Sequence, residues 1–74
     1  MRYGEDMKRA NFKRLATKRT QIILERLRIL GNLSSKTLYS YGDGDVDKIF
    51  TAIEDRLVEV KSRFTKNRKK IFEL

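Results

Sequence analysis

Apolar side chains between residues 6 and 30 fall at Phe12, Leu15, Ala16, Ile22, Ile23, Leu27 and Leu30. That three-and-four spacing is the mark of a helix burying one face. Asp6 is placed to cap its start and Gly31-Asn32 to stop it. Leu24 and Ile29 lie outside the stripe on opposite sides, so the apolar face is broader than one partner helix covers. A second run, Val46, Ile49, Phe50, Ile53, Leu57, Val60 and Phe64, is narrower, near-heptad, and the clearest helical signal in the chain. Asp43 or Asp45 opens this helix, with acidic residues where the helix dipole favours them. The connector NLSSKTLYSYGDG is rich in turn formers and long for a helix–helix link, so some local order is expected in it. The pattern predicts one helical domain over residues 1–74. Its parts are a helix at about 6–30, a connector at 31–43, a helix at about 44–65 and a basic tail at 66–74; residues 1–5 are expected to fray.

The expected fold class is all-α: a basic, antiparallel two-helix hairpin that dimerises into a four-helix bundle or docks on a larger partner. Two arginines, Arg19 and Arg26, interrupt the apolar stripe of the first helix. A hairpin that sets Leu30 beside Val46 also sets Phe12 beside Phe64. In nearly the same register Arg26 faces Asp47 and Arg19 faces Glu54, two carboxylates seven residues apart. Matched spacings of this kind suit a charge ladder that fixes register. The alternative is that both arginines lie open and grip an acidic partner. Charge is divided accordingly: residues 1–31 hold nine basic and three acidic side chains, whereas residues 45–64 hold four basic and five acidic.

Length limits how the core can close. At 74 residues a single core is marginal without staples or a partner. The chain has neither Cys nor His, which removes disulfides, the usual zinc sites, a thiol nucleophile and an imidazole base. No glycine-rich phosphate loop occurs. These absences point to a non-enzyme without a cofactor. Charges interrupt every apolar run, so no signal peptide or membrane span is expected and the reading is cytoplasmic. The net charge of +8 admits nucleic acid, an anionic membrane or an acidic protein as partner without choosing among them. Membrane binding is the weakest of the three, because no exposed Trp or Phe is placed beside the basic face.

Several residues are candidates for contact. Arg14, Lys18 and Arg28, with Lys13 nearby and Thr17 and Gln21 between, could follow a phosphate backbone, although Glu25 interrupts the row. Lys66, Arg68, Lys69 and Lys70 could add phosphate contacts; a solvated tail is the plain alternative. Tyr39 and Tyr41 could stack on bases beside Lys36, or cover the open end of the hairpin. Asp43, Asp45, Asp47 and Glu54 occupy positions one, three, five and twelve of a calcium-binding loop. Lys48, however, stands where the required glycine would be, and Val46, Ile49, Phe50 and Ile53 already have helical spacing. No metal site is therefore expected, and the acidic cluster is read as helix-start chemistry.

The segments LRILGNLS at 27–34, YSY at 39–41 and DVDKIF at 45–50 resemble a group of small uncharacterised bacterial proteins, some borne on plasmids or phages. The likeness runs from about Phe12 to Phe64. In that group Thr-Glu-Glu is expected where this chain has Gly42-Asp43-Gly44. The resemblance brings no assigned activity; it implies a compact bacterial fold built around the GNLS turn. With Leu24 and Ile29, the corner formed by Asn32, Ser34, Tyr39 and Tyr41 is the expected protein-binding surface. The functional expectation is a small accessory protein, an adaptor or inhibitor, acting through a protein partner or a second copy. Non-sequence-specific binding of DNA or RNA is the alternative.

Overall fold

The computed structural model describes residues 3–66. Among them the chain is all-helical: α1 spans Tyr3–Gly31, a 3-10 turn spans Asn32–Ser34, and α2 spans Asp43–Lys66. Two compact units divide the chain, one ending at Ser40 and the other beginning at Tyr41.

In the first unit, α1 is 29 residues long, about 43 Å at ~1.5 Å per residue. It begins before the position expected from Asp6. Glu5 and Asp6 both lie in its first turn, so Asp6 is a partner for the helix dipole and not the cap. The other end also differs from expectation. Gly31 is right-handed, with φ −60 and ψ −23, and no described residue has a positive φ. The helix is not stopped by a left-handed glycine. It tightens into the 3-10 turn, which takes up terminal carbonyls otherwise left open, and leaves as extended chain at Ser35, with φ −71 and ψ 111. The Leu38 and Tyr39 N–H groups then both donate to the Ser35 carbonyl, at 3.2 and 2.9 Å. The connector has the local order its length called for.

In the second unit, the first residue of α2 is Asp43, and Gly42 acts as its cap. The Asp45 and Val46 N–H groups donate to the Gly42 carbonyl at 3.1 and 3.2 Å. The Asp45 carboxylate reaches back to accept from the Gly42 N–H at 2.9 Å. This is the return arm of a capping box whose cap residue lacks a side chain. Along the helix, Val46, Ile53 and Val60 are half-buried and recur every seven residues. Phe50, Leu57 and Phe64 interleave with them and are 47%, 58% and 62% exposed. The alternation of threes and fours is that of a coiled-coil seam.

No residue among those described is buried. On α1, Leu15, Ala16 and Leu30 are half-buried, while Phe12 stays 50% exposed. No described helix is long and apolar enough to cross a membrane.

Candidate functional site

Cations dominate the first two-thirds of α1. Between Asp6 and Glu25 no carboxylate occurs, and Lys8, Arg9, Lys13, Arg14, Lys18 and Arg19 all fall there. Lys8 reaches Glu5 at 3.9 Å, and Arg14 donates to the Asn11 side-chain oxygen at a long 3.5 Å. Arg9, Lys13, Lys18 and Arg19 take part in no ion pair among the described residues. Neither does Arg26. Their charge is therefore open to an anionic partner.

Arg28 is different. Its Nε and Nη2 donate to the two oxygens of Glu25 at 3.0 and 2.6 Å. That hydrogen-bonded fork, opposed by slight desolvation, holds the Glu25 carboxyl below the usual carboxylate range and raises the Arg28 guanidinium. A phosphate at Arg28 would have to compete with this carboxylate. Arg14 and Lys18 share the exposed basic stretch with Arg9 and Lys13, whereas Arg28 stands apart from it with its own counter-ion. Arg9 escapes a search for rows one turn apart through Arg14 and Lys18. The doublet KR at 8–9, 13–14 and 18–19 is the signal that finds it.

Of the tail candidates, Lys66 ends α2 and is exposed; Arg68, Lys69 and Lys70 lie outside the described residues. On α2, Glu59 is shared by Arg56 at 3.4 Å and Arg63 at 3.3 Å, so the basic side chains at that end are partly neutralised.

The apolar candidates are open. Leu24 is 60% and Ile29 44% exposed. Asn32 and Ser34 sit in the 3-10 turn, and Tyr39 follows on the Ser35 turn at 45% exposure. These belong to the first unit with Leu24 and Ile29, whereas Tyr41 begins the second and is half-buried. Along α1, Lys18, Gln21, Ile22, Glu25, Arg26 and Ile29 line a shallow open groove. A depression between side chains of one helix does not enclose a substrate. The acidic residues of α2 form no metal-holding group of three or more among the described residues, and 43–54 is continuous helix.

Comparison of the chain with protein-family models, with curated proteins and with solved structures finds no match.

Proposed function

We propose that this chain is a small non-enzymatic interaction protein, an adaptor or inhibitor, whose helices pair as an antiparallel hairpin and whose remaining apolar surface is covered by a second copy or a larger protein. The observation that supports this reading is that no described residue is buried, although both helices carry apolar side chains at burying intervals. Large apolar faces left wet mark interaction sites. In the proposed hairpin Arg26 and Arg19 meet Asp47 and Glu54 and set the register.

Thermal unfolding over a range of protein concentrations tests the reading. Self-association predicts a midpoint that rises by about 4 °C per tenfold increase in concentration, the effect of ~1.4 kcal/mol on a dimer of this size. Broad, non-cooperative melting at every concentration would point to another protein as the missing half. A sharp midpoint independent of concentration would mean that the hairpin closes its own core, and would sink the need for a partner. The register is tested separately. Arg26→Asp and Asp47→Arg should each lower the midpoint, and their combination should restore it. Additive losses would mean that the two do not interact.

Binding of nucleic acid is the second reading. It is favoured by one observation, the run of α1 cations from Arg9 to Arg19 without carboxylate partners among the described residues.

A further inference from the structure

The doublets Lys8-Arg9, Lys13-Arg14 and Lys18-Arg19 recur every five residues within α1. Five helical steps of about 100° leave a net turn of about 140° and a rise of about 7.5 Å. Successive doublets therefore wind around the helix and do not form a single row. Arg9 and Lys13, four apart, make one row; Arg14 and Lys18 make a second about 140° away. Ala10, Thr17 and Gln21 fall between the rows, within about 40° of one another. All seven side chains are exposed. Arg19 and Arg26 lie about 160–180° from Thr17, on the side where pairing with α2 is proposed, so that pairing leaves the face open. Leu24, about 20° from Thr17, shares the face, so DNA here and a partner covering Leu24 exclude each other.

We infer that this face of α1 binds duplex DNA by lying in the major groove, an inference that rests on the nucleic-acid reading and specifies its ligand. One row of cations suffices for a single strand or a flat anionic membrane. Two rows separated by a strip that is neutral between residues 9 and 21 suit a groove with phosphates on both walls. The major groove of B-form DNA, about 12 Å wide, admits an α-helix; the deep, narrow major groove of duplex RNA does not admit side chains for reading. Arg9 and Lys13 contact phosphates on one wall and Arg14 and Lys18 those on the other. The strip between faces the base edges: Gln21 has the amide geometry that pairs with adenine, and Thr17 and Ala10 present methyl groups suited to the methyl of thymine.

The test is fluorescence anisotropy of labelled 20-base-pair DNA, duplex RNA of equal length and single-stranded DNA, with the full chain, between 50 and 200 mM salt. Duplex DNA is expected to bind tightest. Four phosphate contacts contribute about −3.6 to the slope of log K against log salt, roughly a 150-fold loss over that range. Arg9→Gln with Lys13→Gln should remove about half of that contribution, and Arg14→Gln with Lys18→Gln the other half. Glutamine is a good helix former, and circular dichroism checks that helix content is kept. Arg28→Gln should leave the slope unchanged. Thr17→Ala with Gln21→Ala should re-rank duplexes of different sequence at constant slope. Equal or tighter binding of single strands or duplex RNA, or dependence on one row alone, overturns the groove assignment and leaves nucleic-acid binding standing. No binding to any of the three at 50 mM salt overturns both.

Discussion

Ile53→Asp is expected to abolish cooperative folding. Ile53 sits at the middle of the α2 stripe, between Val46 and Val60, and with them is half-buried. In the proposed hairpin this is the most enclosed layer. Truncating a buried Ile to Ala costs about 2–5 kcal/mol, and a carboxylate placed there adds the cost of an unpaired charge in an apolar contact. A chain of this length has a total stability of only about 4–11 kcal/mol at the usual value per residue, so the loss is comparable to the whole. Lys48→Glu, on the opposite face of α2, is the control and should shift stability by no more than about 0.5 kcal/mol. Thermal melts followed at 222 nm distinguish the two. If Ile53→Asp melts like the parent, the seam is not where the protein buries its core, and the hairpin falls with it.

Leu24→Glu combined with Ile29→Glu carries the next largest effect, on association and not on folding. These side chains flank the α1 stripe and are 60% and 44% exposed. A single helix packed along the stripe leaves them uncovered. If a second copy covers them, two carboxylates per chain placed in that contact bring four into the dimer, and the dimer should dissociate. Sedimentation equilibrium should then give the monomer mass, and the midpoint should lose its dependence on concentration. Helix content in isolation should be little changed, since Glu is as good a helix former as Leu and better than Ile. A dimer that survives both substitutions would move the contact elsewhere, with the corner of Asn32, Ser34 and Tyr39 next to be tried.

How far the sequence could be read varies from element to element. Both helices were legible because apolar spacing is a property of the helix itself, and with no proline in the chain nothing breaks the pattern. The heptad-like seam of α2 was legible for the same reason. Helix ends were less so. Asp45 is recognisable as an acidic first-turn residue, yet whether its carboxylate serves forward as a cap or backward to the Gly42 N–H depends on where the first helical bond forms. Gly31 invites a left-handed stop, and the chain declines it because the 3-10 turn supplies an alternative use for the terminal carbonyls.

The candidate site shows the same division. The order of residues determined that α1 is strongly basic and that α2 carries a heptad-like apolar stripe, and composition that the chain has no thiol or imidazole side chain. What needed three dimensions was which cations are already neutralised. Sequence spacing permits a pair between Glu25 and Arg28, three residues apart, and offers Lys18 no carboxylate within four residues. The structure shows Arg28 closing a two-pronged bond on Glu25, while Lys18 has no ion pair among the described residues. A long side chain with several rotamers meets a carboxylate three or four residues away only when both bend toward the same side of the helix. That choice belongs to the folded geometry, and it separates the open basic face of α1 from the arginine that is already engaged.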